Sequence, residues 1–420
     1  MIKVEELIER RNKIYQSLDD NSVLILFGGV SLKRSNDSYF PLEINKNFYY
    51  LTGIDEENAT LMVVKQDGVI IENLFVLGNN ELLEKFTGKL LSFEEASKIS
   101  GIENVYAASN FESELDLYIL GKKNLTRRLE KVYLDLSKEN FIDGYKTTQE
   151  YRNLLELNYS HIKVEDIIRE LVRLRLAKSK TEVSEIEEAI IKTNGGLKAI
   201  LKELHPNLKE FNVASIFDNF VRGYGANAFY RETYVAGGPN TLYMKNINQN
   251  RELRTSDLIV IDSAVKENKY VAPICRTYPV SGKFNDLQKS IYQAILDALE
   301  FALREIKPGA FFTVINDEIY KNLANSVLNL KLFQSEVEIK RSIPRIVLYH
   351  TGLDERDPSI IGKALESGNI LTLDLGVFFK EKNFAIRLKD IILVTDTGCY
   401  LLSKDVLREI NEIEIALNNR

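Results

Sequence analysis

The stretch Leu258–Val280, reading LIVIDSAVKENKYVAPICRTYPV, constrains the fold more than any other part of the chain. LIVID is a short apolar run ending on a carboxylate, the pattern of a buried strand with Asp262 at its edge. APICRTYPV is a second strand-like run, closed by Pro279 and a turn at Gly282. A hairpin whose first strand carries an acid keeps that acid on rigid scaffolding, which is what a metal carboxylate needs. The pattern then recurs. A helix over Asp286–Ile306 stops at Lys307–Gly309, where Pro and Gly require it, and NILTLDLGVFF and FAIRLKDIILVT follow as two more strands. From Thr181 onward the chain therefore reads as helix-then-hairpin, twice.

The upstream part is a different mixture. Residues 1–20 have the spacing of a helix with Val4, Leu7, Ile8, Ile14 and Tyr15 inward. SVLILFGG reads as a buried strand, NFYYLTG and TLMVVKQDG as strand-plus-turn segments, and Ser92–Ile99 as a helix, which together predict a mixed α/β domain. Val164, Ile167, Ile168, Leu171 and Val172 predict a one-faced helix over His161–Ala177. The domain boundary falls just before it, giving domains of 1–160 and 161–420. Ser179 or Thr181 is the expected N-cap of the next helix, with acids in its first turn. Gly195 and Gly196 inside that helix are read as sites of close helix packing.

Composition excludes several classes. Of 420 residues, 45% are hydrophobic and 28% charged, and the net charge is −6, so nothing favours nucleic acid or a membrane surface as partner. No apolar run approaches the roughly 20 residues that a membrane helix needs, and the amphipathic N-terminus is unlike a signal peptide. Cys275 and Cys399 are the only cysteines, too few for a disulfide framework, so a cytoplasmic location is expected. Only three histidines occur: His161, His205 and His350.

On NFYYLTG, LRLAKSKTEV, VAGGPN, RTYPVSGKF and IRLKDIILVT, nearly the whole chain resembles the aminopeptidase P / prolidase family of Xaa-Pro metallopeptidases, which includes creatinase. The resemblance implies an α/β (α+β) protein of two domains. The first is a creatinase-like mixed α/β domain and the second a pita-bread fold built from a duplicated α-β-β unit. It also implies a homodimer with a peptide-accepting cleft, and two metal ions held by two Asp, one His and two Glu.

Carried over residue by residue, that ligand set is broken. Asp262 matches the first Asp, but Pro273 stands at the second, with neither a donor atom nor an N–H. The family His precedes a GLDxHD segment; with GLDERD here, Tyr349 takes its position and His350 falls one residue late. The Glu of TIEPG is Asp374 in TLDLG, and the Glu of RIED is Lys389 in RLKD. The histidine inside GLDxHD becomes Arg356, and the histidine of the LHY motif finds only Tyr243. Arg276, Thr277 and Arg387 persist as framework.

Stripping metal from buried acids leaves unpaired anions at several kcal/mol each, so the loss of acids and the gain of Lys389 belong together. The expectation is an ion pair of Lys389 with Asp262 and Asp374 where the ions would sit, with Arg356 nearby. Tyr349 and Tyr243 are expected to fill vacated volume, Cys275 to be a buried small residue, and the acids of GLDERD to form a solvated loop.

Three functions follow from the resemblance. The first is a pseudo-peptidase with no metal cofactor, binding a peptide or protein in a cleft lined by Tyr243, His350, Arg356 and Arg387. The second is an Xaa-Pro aminopeptidase or dipeptidase with an atypical site, using a single divalent ion such as Mn or Zn at Asp262 and Asp374. The third is a metal-independent creatinase-like hydrolase, for which His350 is the available base and Arg356 the only other catalytic candidate.

Overall fold

The structure, a computed structural model, describes residues 2–123, 128–136, 146–225, 228–333 and 335–419. It resolves into two compact units, Ile2–Leu174 and Arg175–Arg420.

In the first unit, six strands form one sheet: β1 (Ser22–Phe27), β2 (Thr60–Gln66), β3 (Val69–Val76), β4 (Asn104–Ala107), β5 (Lys131–Leu134) and β6 (Lys163–Asp166). Their order is β4-β3-β2-β1-β5-β6, with β1–β2 and β2–β3 antiparallel and the other pairs parallel. Helices α1 (Val4–Ser17), α2 (Lys46–Thr52), α3 (Glu81–Thr87), α4 (Phe93–Ser100), α5 (Phe111–Ile119) and α6 (Lys146–Asn158) are interleaved with the strands. Apolar side chains of β1, β2 and β5 pack with Phe111, Leu115 and Tyr118 of α5 and with Leu155 of α6 in a shared core.

Two segments differ from the sequence expectation. NFYYLTG is helix α2, not strand, because Asn45 caps it by accepting the N–H groups of Asn47 and Phe48, and Gly53 (φ 69°) ends it in the left-handed conformation. The segment from His161 is split: Lys163–Asp166 extends as β6 and pairs with β5, and only Ile168–Leu176 is helical (α7). With β6 in the first sheet, the units divide after Leu174 and not after residue 160.

The second unit follows the duplicated plan. Helix α8 (Lys180–Glu203) starts at Ser179, which forms a capping box with Glu182. Its two glycines face α9 (Glu210–Arg222), and a Cβ at Gly196 would lie 2.6 Å from Phe217 Cδ2. Strands β7 (Tyr234–Gly237), β8 (Leu258–Glu267) and β9 (Tyr270–Pro279) come next. The second passage comprises α10 (Asp286–Glu305), α11 (Phe312–Asn329), α12 (Glu336–Ser342), β10 (Leu348–His350), β11 (Ile370–Phe379), β12 (Phe384–Val394), β13 (Cys399–Leu401) and α13 (Ile410–Asn418). All pairings in this sheet are antiparallel, in the order β10-β11-β12-β9-β8-β7, with β13 alongside β12. Among the described residues, no helix is long and apolar enough to cross a membrane.

A buried ion-pair cluster as candidate functional site

Register alone brings the singled-out residues together. Asp374 pairs with Lys389, Lys389 with Cys275, and Cys275 with Asp262, so one row crosses β11, β12, β9 and β8. Residues opposite one another project to the same face, and so do residues two apart on a strand. Pro273, Arg387 and Thr372 therefore share that face, and Tyr349, opposite Thr372, joins them. The other face carries Tyr270, whose hydroxyl donates to Glu182 of α8 (2.9 Å), so α8 covers the side away from Asp262.

Pro273 fits mid-strand for a local reason. On one side of β9, Val271 donates its N–H to Gly352 O (2.8 Å), a loop partner, and the ladder to β12 is in register only at Cys275. The proline nitrogen, two residues on from Val271, faces this unladdered gap and forfeits no ladder bond.

Cations occupy every carboxylate oxygen of the row. Asp262, 4% exposed, accepts from Lys389 Nζ (3.0 Å) and Arg231 Nη2 (2.7 Å) at Oδ1 and from Arg387 Nη1 (2.8 Å) at Oδ2. Arg387 also grips Asp374 with two parallel bonds, Nε to Oδ1 at 3.0 Å and Nη2 to Oδ2 at 2.8 Å. Glu355 completes the set, accepting from Lys389 Nζ (3.0 Å) and twice from Arg231, Nε at 2.7 Å and Nη2 at 3.1 Å. Three cations thus balance three anions.

Burial works against the charges of Asp262, Lys389 and Glu355, and their partners overcome it. For Asp262, burial pushes the carboxyl pKa up, but Lys389, Arg387 and Arg231 hold it well below the usual carboxylate range. For Lys389, burial pulls downward, and the charges of Asp262 and Asp374 raise it above its ordinary value. Glu355 is held low against burial by its bond to Arg231 and by Lys389.

Other candidates lie elsewhere. His350 alternates with Tyr349, so it projects to the opposite face and stacks on Phe312 with ring centroids 5.3 Å apart. Burial and the nearby Lys178 ammonium lower its pKa to about 3, which makes it a neutral packing residue and corrects its place in the cleft. Arg356 is exposed and lies over the Tyr349 ring at 4.6 Å, outside the cluster. Tyr243 is 66% exposed and fills no vacated volume. The acids of GLDERD are not free in solvent: Asp357 is buried against Arg175 Nη2 (2.6 Å) and Lys178 Nζ (3.0 Å), and Asp354 and Glu355 are paired with Arg175 and Arg231. Cys275 is fully buried, and burial and Asp262 push its thiol up to about 12.

Sequence reasoning does not find Arg231, and it discounts Glu355. Charge counting does not point to them, since Lys389 and Arg387 already balance Asp262 and Asp374, and Arg231 with Glu355 adds a pair that balances itself.

A six-stranded mixed domain followed by a duplicated α-β-β domain, with an acid-bearing row across the joined hairpins, is the aminopeptidase P type of two-domain pita-bread fold. Comparison with known proteins agrees. The family model for metallopeptidase family M24 matches residues 184–396, and that for the aminopeptidase P N-terminal domain matches residues 7–126. The chain is 28% identical to the Xaa-Pro aminopeptidase of Haemophilus influenzae, over 99% of this chain and 97% of that protein. It is 26% identical to the Xaa-Pro aminopeptidase of Escherichia coli, over 98% and 97%. A solved structure from Bacillus anthracis assigned to aminopeptidase P superposes with a TM-score of 0.94 at 30% identity, covering 100% of this chain and 99% of that one. The chain belongs to metallopeptidase family M24 and is an aminopeptidase P-type member of it.

Membership corrects the expectation of no metal cofactor, because the family whose model matches is one of metallopeptidases and a divalent ion is what it implies. The donors of this chain do not fit that ion. Pro273 and Tyr349 bring no carboxylate or imidazole, Lys389 brings a cation, and all four oxygens of Asp262 and Asp374 already accept N–H bonds. Among the described residues, no group of three or more His, Cys, Asp or Glu converges as a metal site.

Proposed function

We propose that this chain is a peptide-binding member of the Xaa-Pro aminopeptidase family that does not hydrolyse its ligand by the two-ion route. One observation supports this most: the oxygens that would hold ions and orient water are instead closed by Arg231, Arg387 and Lys389 at 2.7–3.0 Å. A buried, balanced network of this kind is rigid and presents no free base or nucleophile. The cleft ligand is a peptide, and the functional unit is a homodimer.

A second reading is that of an Xaa-Pro aminopeptidase with an atypical site. The names and near-complete coverage of the Haemophilus influenzae and Escherichia coli relatives favour it. A creatinase-like hydrolase has less support, since His350 lies on the wrong face for a base.

Purified full-length protein supplied with manganese and peptides bearing proline at the second position separates the first two readings. Calorimetric binding without release of the first residue is the expected result. Turnover that is lost in Asp262→Asn overturns the proposal in favour of the aminopeptidase. Sedimentation of the same sample reads the oligomeric state.

A further inference from the structure

The six charges of the cluster are not equivalent. Arg387 and Lys389 already neutralise Asp262 and Asp374, and the side chains of these four residues are no more than 7% exposed. Arg231 and Glu355 form an outer layer, their side chains 16% and 19% exposed. Glu355 comes from a loop, and three donors from two cations converge on it: Arg231 Nε and Nη2 and Lys389 Nζ, at 2.7, 3.1 and 3.0 Å. A guanidinium edge with a second cation beside it is how proteins bind a free carboxylate.

The loop does not depend on this carboxylate for its position. Gly352 O accepts from Val271 N (2.8 Å), Arg175 holds Asp354 (2.7 Å) and Asp357 (2.6 Å), Lys178 holds Asp357 (3.0 Å), and Asp354 N donates to Asp357 Oδ1 (3.0 Å). Side-chain rotation of Glu355 alone therefore vacates the site. Beside the cluster, the Tyr349 hydroxyl is buried with no hydrogen-bond partner among the described residues and lies within electrostatic range of Lys389, Asp374 and Glu355. A buried hydroxyl in that state lacks a polar neighbour that a ligand can bring.

We propose that Arg231 and Lys389 form a carboxylate receptor in which Glu355 is the resident placeholder, and that its ligand is the terminal carboxylate of a short peptide. The peptide part of this inference rests on the proposed function; the receptor part does not. Displacing an internal carboxylate that is already in place weakens binding, so the ligand is held loosely in the native chain and more tightly once the placeholder is removed.

The test uses full-length wild type, Glu355→Ala, the near-isosteric Glu355→Gln and the pair Glu355→Ala/Arg231→Ala. Melting is followed in sodium acetate and in sodium chloride at equal ionic strength. A saturable upward shift of the melting point by acetate in Glu355→Ala or Glu355→Gln, absent in wild type and in the pair, is expected. Identical melting of both single variants in the two salts overturns the receptor. Calorimetry then compares one Xaa-Pro tripeptide as free acid and as C-terminal amide. The free acid should bind Glu355→Ala at least tenfold more tightly than wild type and more tightly than the amide does. Equal binding of acid and amide overturns the assignment of the peptide carboxylate. If acetate stabilises the single variants but no peptide binds any form, the receptor stands and peptide binding itself is rejected.

Discussion

The ammonium of Lys389 lies 3.0 Å from Oδ1 of Asp262, although the two residues belong to strands separated by a third. Cys275 sits between them in the row and has no charge to interpose, since burial and Asp262 keep it a thiol. The long side chain of a lysine spans a gap that the family glutamate in the RIED motif would leave open for an ion.

Breaking this contact on one side only should be costly. Lys389→Met leaves Asp262 and Glu355 each short of a donor inside the domain, and a loss of about 3–5 kcal/mol is expected for removing one partner of a buried pair. Urea titration reads the loss, and Lys389→Met/Glu355→Gln should recover part of it. Two variants with equal midpoints would show that the two side chains are uncoupled.

Arg387 clasps Asp374 with two bonds and reaches Asp262 with a third, a geometry a lysine cannot copy. Arg387→Lys should therefore lose a large share of what Arg387→Ala loses, despite keeping the charge. Near-wild-type unfolding of Arg387→Lys would show that charge alone matters there.

His350 gives stability a pH dependence of known sign. Its folded pKa of about 3 lies below the ordinary 6.5, so the unfolded chain takes up the proton first. The contribution is complete above about pH 6.5 and is lost as pH falls toward 3, amounting to a few kcal/mol by linkage. His350→Phe, which keeps the stack on Phe312, should flatten the unfolding midpoint across that window. An unchanged slope would assign it to other groups, of which Asp262 and Glu355, both held low, act at the acid end of the range.

Cys275 should resist alkylation in the folded protein and react only on unfolding, because it is fully buried and its thiol is pushed up to about 12. Mass spectrometry after brief iodoacetamide treatment checks this. Native-state labelling of Cys275 would mean that the row opens.

Much of the second domain is legible in sequence because strand period, turn residues and caps agree locally, as in LIVID, in RTYPV and at Ser179. The row of Asp374, Lys389 and Asp262 is legible too, since each residue lies inside a strand motif whose register fixes its face. Arg231 and Glu355 are not. They pair across 124 residues between two loops, and nothing in either loop reports the other. Helix α2 is lost to propensity: Phe48, Tyr49 and Tyr50 favour strand, and only the flanking Asn45 and Gly53 tip the segment to helix.

The joint between the two hairpins has a mechanical consequence. Strands β9 and β12 share one residue pair in register, and side chains do the rest: Thr277 Oγ1 donates to Arg387 O (2.9 Å) and accepts from Arg387 N (2.9 Å), and Arg276 Nη1 donates to Lys389 O (2.8 Å). The duplicated halves are thus joined by side chains around a single register pair, with the charged heads of Arg387 and Lys389 reaching across the seam to Asp262. Reversing one of those charges should let the halves splay at this seam while each hairpin stays intact.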